Sequence, residues 1–244
     1  MRRVWCVLGF ALVMCARPAL SDECTASLVG GEPALQQLNA ETRLHFIRER
    51  LRIDARNARI WSYSWGTIYS ALTVGQFVAA PLVSHASGLD LYVGGSAALV
   101  GVIPLVVTPL KVIGDEKRLD EIEADTPTTT PCVALAWTEE LLNRDAANEG
   151  QGQSLLFHGG NVVVNAGIFL IIGAGFGHWT SATISLLTGI ATGEIMILTQ
   201  PVGALKALRQ YRRGELASPS AGVRIGIAPL LARNSSGVVL ILIF

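Results

Sequence analysis

The sequence predicts a mainly α membrane protein: four transmembrane helices arranged as two tandem helix-plus-hairpin repeats, followed by a C-terminal β-hairpin. Three observations predict it. Half of the 244 residues are hydrophobic and only 16% are charged, a balance unlike that of a soluble domain. The charges are also segregated: Asp90 is the only one between Ile60 and Leu110, and Glu194 the only one between Leu155 and Leu205. Finally, the chain repeats itself. Leu44, Glu49, Leu51, Asp54, Ala55 and Asn57 recur 91 residues later as Leu135, Glu140, Leu142, Asp145, Ala146 and Asn148. Gly101, Ile103 and Pro109 recur 92 residues later as Gly193, Ile195 and Pro201, so one residue is inserted between the two registers. Matches that keep helix, span, tip, span and proline in one order point to duplication.

Taken in order, the chain opens with a positive Met1-Arg2-Arg3, an apolar run over 4–16 and the small-x-small triplet Ala19-Leu20-Ser21. This is the pattern of a cleaved secretory signal over residues 1–21, its apolar run too short to span a bilayer. Cleavage removes Cys6 and Cys15 and leaves Cys24 and Cys132, which in an exported chain predicts one disulfide. The alternative is two free thiols in a reducing compartment. Repeat 1 (22–120) begins a helix near Glu32-Pro33, where proline's missing N–H is harmless. An amphipathic helix over about 34–59 runs into a first span over 60–83, a tip over 84–88 and a second span over 91–110 containing Pro104. An acidic, then Thr- and Pro-rich, stretch over 121–132 reads as an extended linker.

Repeat 2 (133–213) has an amphipathic helix over 133–148, a span over 155–176, a tip over 177–181 and a span over 183–205. About 20 residues at roughly 1.5 Å each cross the roughly 30 Å of hydrocarbon. Each unit leaves and returns on one side, so the copies are expected to be parallel repeats. In the tail (214–244), two β-branched runs flank Arg233-Asn234-Ser235-Ser236-Gly237, which predicts the β-hairpin. Both faces of its last run are apolar, unlike an outer-membrane barrel strand.

Orientation is contested within the sequence. The export signal places the amphipathic helices, linker and tail outside the cytoplasm. Yet every Lys and Arg after the leader lies in those segments, which the positive-inside rule would turn inward. The export signal and the cysteine pair, brought to one face by the repeat, decide for a non-cytoplasmic side.

Glu194 is the sharpest anomaly, since charge within a span is costly and such residues face protein partners. His158, Asn161 and Asn165 form a polar stripe on the preceding span, with Asn165 expected within about a turn of Glu194. Together they make an intramembrane polar cluster, read either as a proton or ion relay or as a hydrogen-bonded register pin. Gly189 and Gly193 form a GxxxG face matched by Ala97 and Gly101 in the first repeat, and Ser62, Gly66, Ser70 and Thr73 give a similar face. These are helix-packing signals, with dimerisation through them an option. His85 and His178 fall in the tips, with only Asp90 nearby, too few ligands for a shared metal. Trp61, Tyr63, Trp65, Tyr69 and Trp179 suit membrane interfaces.

No catalytic motif, phosphate loop, cofactor signature or metal-spaced cluster emerges, and zero net charge gives no reason to expect nucleic acid. The sequence thus leads to a non-enzymatic integral scaffold or subunit of a bacterial cell-envelope complex. Its partners would be the lipid bilayer, further copies of itself and other envelope proteins. The competing reading is a small transporter or channel using the Glu194 stripe.

Overall fold

The computed structural model describes Cys24, Leu35 and residues 38–125, 130–216, 224–232 and 235–243. The leader at 1–21, the helix start at Glu32-Pro33 and the Thr-Pro run at 126–129 lie outside these. The described chain is mainly helical.

Helix α1 (Ala40–Ala79) opens where Asn39 turns its side chain back to accept from Glu41 N at 2.6 Å and Thr42 N at 3.1 Å. Its first half carries Leu44, Ile47, Leu51, Ala55 and Ala58 at steps of three and four, and all five are buried. The second half continues without a break to a tight turn at Ala80–Leu82. Ser84 then caps α2 (His85–Val107), its side chain accepting from Ser87 N. Pro109 ends that run, because proline cannot extend a helix before it. Helix α3 (Lys111–Asp125) follows at once.

Helix α4 (Pro131–Gly152) starts on a proline, whose fixed φ suits a first turn. After Gln153 and Ser154 comes α5 (Leu155–Leu170), which passes into a π-helical turn at Ile171–Gly175. Gly177, at φ 76°, takes the backbone conformation that the next reversal needs. Helix α6 (Trp179–Leu198) ends before Pro201, and α7 (Gly203–Arg212) follows. Past Leu216 only the backbone of 224–232 and 235–243 is described, in antiparallel register with Arg224 opposite Ile243.

Two kinds of packing result. The first half of α1, with α3, α4 and α7, encloses one apolar core that includes Leu44, Ile47, Leu51, Val112, Leu119, Leu135, Leu142, Leu208 and Tyr211. In this head α1 packs on α4, and α3 and α7 each pack on both. The second half of α1 pairs with α2, and α5 pairs with α6, to form two hairpins that project from the head. Their apolar side chains face outward: Leu155 is 89% exposed and Val163 71%. Three helical runs are long and apolar enough to cross a membrane, and their exposed apolar parts are α2, α5 with its π turn, and α6.

The two halves of the head share a burial register. Residues 51–59 and 142–150 run through the same order of buried, half-buried and exposed positions. Val112, Asp115 and Leu119 of α3 are buried, and so are Ala204, Ala207 and Tyr211 of α7, each 92 positions on.

The structure corrects several sequence expectations. The linker at 121–132 is helical over Glu121–Asp125, because Val112, Leu119 and Ile122 give α3 an apolar stripe that packs on the head. The second amphipathic helix is longer than 133–148 and starts within the expected linker. The spans expected at 91–110 and 183–205 stop at Val107 and Leu198, and Leu110 and Leu205 pack against the head core instead. Residues 60–79 do not reach the apolarity of the other three stretches, because Ser62, Ser64, Thr67, Ser70 and Gln76 dilute them.

Candidate functional site

The seam between α5 and α6 joins two features that the sequence presents separately. A Cβ on Gly189 would fall 1.9 Å from Asn165 Oδ1, and one on Gly193 would fall 2.1 Å from Asn161 Oδ1. The glycine face therefore exists to seat the two asparagines. Asn161 Nδ2 donates to Ile190 O at 3.1 Å and to Glu194 Oε1 at 2.9 Å. Asn165 Nδ2 donates to Asn161 O and Oδ1, both at 2.9 Å. His158 Nδ1 meets Glu194 Oε2 at 2.5 Å. Glu194 thus gathers His158 and Asn161, whereas Asn165 reaches Asn161 and not Glu194. The carboxylate also sits elsewhere than the middle of its span. Helix α6 ends at Leu198, four residues on, so Glu194 lies about 6 Å from the head end.

The first hairpin fills its glycines with larger side chains. Gly101 faces the Tyr69 ring, Gly95 the Phe77 ring and Gly94 the Gln76 amide, while Ala97 is half-buried. Thr73 turns its hydroxyl to Tyr69 O at 2.8 Å, leaving the stripe. Ser62, Gly66 and Ser70 line an open groove with Val102 and Val106.

The hairpins meet at two levels. At the tips, His178 Nδ1 lies 2.7 Å from Asp90 Oδ1, while His85 is exposed. At the neck, Trp61 and Trp65 each donate from Nε1 to Thr199 Oγ1, at 3.3 and 3.2 Å. Each carboxylate of the hairpins is therefore held by a histidine, one pair near each end. From His178 to Glu194 is sixteen residues of helix, roughly 24 Å.

The densest polar chemistry lies in the head. Arg43 donates from Nε to Tyr211 Oη at 2.7 Å and from Nη2 to Glu139 Oε1, and the Tyr211 hydroxyl donates to that same oxygen. All three side chains are buried, Glu139 fully, so the network ties α1, α4 and α7 together. Burial and the adjacent Glu139 carboxylate push the Tyr211 hydroxyl well above its ordinary range.

A chain of buried acids sits between this network and the neck. Asp54 Oδ2 accepts from Ala204 N and Glu149 Oε2 from Leu205 N, both at 2.9 Å, so two acids cap the start of α7. Gly203 makes room for Asp54, whose Oδ1 would lie 2.1 Å from a Cβ there. Opposite, Asn148 Oδ1 accepts from Lys111 N at 3.1 Å to cap α3, and Arg144 pairs with Asp115. Each repeat's long helix thus caps the short helix of the other repeat.

Glu149 is pushed up to about 10, first by burial and then by the neighbouring Asp54 carboxyl. Asp145 is pushed up to about 8, first by burial and then by the neighbouring Asp115 carboxyl. Burial and the neighbouring acid thus favour the protonated form of both side chains. The sequence shows Asp54 and Asp145 as a repeat match, but their place beside Leu51–Ala55 and Leu142–Ala146 on the apolar stripe is the signal that they are buried.

Cys24 and Cys132 stand at disulfide distance, with 5.3 Å between Cα atoms. Among the described residues no group of three or more His, Cys, Asp or Glu could hold a metal ion. Compared with family models, curated proteins and solved structures, the chain finds no match in any of the three.

Proposed function

We propose that the protein is a non-enzymatic integral scaffold or subunit of a bacterial cell-envelope complex, with its helical head on the non-cytoplasmic side. The observation that supports this most is where the polar chemistry is spent. Arg43, Glu139 and Tyr211, and the acids capping α7, all serve to lock the head into one rigid body, which suits a platform. The tail would add the second element, a β-hairpin whose edges are open to strand addition by a partner.

Connectivity supports a fourth membrane crossing beside the three apolar stretches. Ala58 and Val112, at the two ends of the first hairpin, both belong to the head core. If α2 crosses the membrane, the second half of α1 must cross beside it. Residues 60–79 are long enough at roughly 30 Å. Trp61, Trp65 and Thr73 find partners on the chain itself, which lowers the penalty of their polar groups.

Chemical cross-linking in native membranes tests this reading. Head residues such as Asn143 should cross-link to a fixed set of envelope proteins or to a second copy, and the chain should migrate in one larger assembly in mild detergent. A chain that stays monomeric and uncross-linked in its own membrane would refute it.

The competing reading, a small transporter or channel, draws on the two acid–histidine pairs. Their separation of roughly 24 Å argues against it, because Thr183, Thr188 and Thr192 between them each turn the hydroxyl back to a carbonyl of α6 itself. Flux in proteoliposomes that disappears with Glu194→Gln would reverse the order of the two.

A further inference from the structure

We propose that the rim of the head facing the hairpins is a binding belt for anionic phospholipid headgroups, carried by Arg56, Lys111 and Lys206. All four head helices meet the hairpins at this level, and three of them carry a base there. Arg56 lies on α1 just before Ala58, the last of its buried head stripe, Lys111 opens α3 directly after the Pro109 break, and Lys206 is in the first turn of α7. All three side chains are exposed, and no ion pair is formed by any of them among the described residues.

The acids at the same level are withdrawn from the surface. Asp54 and Glu149 are buried against the start of α7, Asp115 is buried with Arg144, and Glu116 is held by Arg59. On α4 the rim carries the neutral Gln151 and Gln153. The rim is thus positive because its negative groups are turned inward.

Helix stability does not explain the lysines. Lys111 and Lys206 lie in the first turns of α3 and α7, where the helix dipole disfavours a cation. Lys111 N, Ala204 N and Leu205 N there already donate to Asn148, Asp54 and Glu149. The depth is right for a headgroup: Trp61 and Trp65, a residue type that settles at membrane interfaces, lie about one and a half and two and a half turns beyond Arg56 on the same helix. Lysine and arginine near an anionic leaflet each favour it by about five-fold in affinity, an attraction that salt screens within about 10 Å.

The test uses the full chain in nanodiscs holding equal amounts of phosphatidylglycerol and phosphatidylcholine. After exchange into mild detergent, the lipid that stays bound is counted by mass spectrometry. Phosphatidylglycerol should be retained about five-fold or more over phosphatidylcholine, falling towards parity as sodium chloride is raised. The combined Arg56→Gln, Lys111→Gln and Lys206→Gln variant should sit near parity at low salt.

Parity in the wild type, enrichment that salt leaves unchanged, or enrichment kept by the triple variant would each overturn the proposal. So would inorganic phosphate displacing the lipid far better than chloride at equal ionic strength, since that marks a site for a free anion. The salt series needs only the wild type, so it decides the matter even if the triple variant folds poorly.

Discussion

Asn161 and Asn165 show how single residues set the geometry of this chain. Each amide occupies the space where a glycine of the facing helix lacks a side chain. Gly189→Ala and Gly193→Ala should therefore force the seam apart and destabilise the α5–α6 hairpin by about 1–3 kcal/mol each, as overpacking does. Gly66→Ala meets nothing within 4 Å and should be neutral or stabilising by up to about 1 kcal/mol, from helix propensity. Unfolding in mild detergent, followed by tryptophan fluorescence, separates the two outcomes. In the head, Arg43→Ala removes the cation that Glu139 pairs with in the core and leaves the Tyr211 hydroxyl to hold that oxygen, with an expected loss of about 3–5 kcal/mol. Pairing it with Glu139→Gln should recover part of that loss, as a double-mutant cycle would show.

The buried acids make a prediction about pH. Folding raises Glu149 to about 10 and Asp145 to about 8, far above the ordinary carboxyl range. The folded head therefore keeps protons that the unfolded chain releases. The contribution of these groups is fully present below their unfolded values, near pH 4, declines as pH rises, and is gone above about 8 for Asp145 and about 10 for Glu149. Denaturant midpoints measured across that range should fall with pH, and Glu149→Gln should flatten the alkaline part of the curve. A midpoint that rises steadily between pH 5 and 9 would contradict the assignment.

At the scale of elements, prolines and glycines mark the ends, and side-chain caps fix the starts of α1, α2, α3 and α7. Pro109 and Pro201 separate membrane-type helix from head helix in both repeats. This is why the apolar runs read from sequence overshoot to Leu110 and Leu205: hydropathy does not distinguish a leucine facing lipid from one facing the head core. The acidic character of 121–125 likewise hid a helix, since its burial depends on the few apolar residues Val112, Leu119 and Ile122. The stripe His158–Asn161–Asn165 and the GxxxG face were both legible from spacing alone. That they are two sides of one seam was not, because antiparallel register depends on where the tip turns, and a π-helical turn sets that here. The pairing of Asp90 with His178 required the two tips to be placed together, which no local pattern encodes.

A bridge between Cys24 and Cys132 would close a loop of 108 residues, worth about 4–5 kcal/mol through the entropy of the unfolded chain. Cys132→Ser should lower the stability of the head by up to that amount. An unchanged denaturant midpoint would show that the pair does not bridge.

Over the whole molecule, one apolar core organises four head helices, and two hairpins with lipid-like surfaces hang from its same end. The matched burial of 51–59 with 142–150 gives this plan a two-fold character in structure as well as sequence. The departures from it are informative: Glu149 replaces the position of Ala58, Asp115 that of Ala207, and Glu194 that of Val102. The polar groups that depart from the duplicated frame thus cap α7, pair with Arg144 in the head or pin the second hairpin near the neck. The central claim is that head and tips lie on opposite faces of a membrane, with the head outside the cytoplasm. Single cysteines at Asn143 in the head and at Ser87 or Ser181 in the tips, probed in intact spheroplasts with a membrane-impermeant maleimide, test it most directly. The account predicts labelling of the head position at once and of the tips only after the membrane is opened. Tips that label from outside, alone or together with the head, would contradict it.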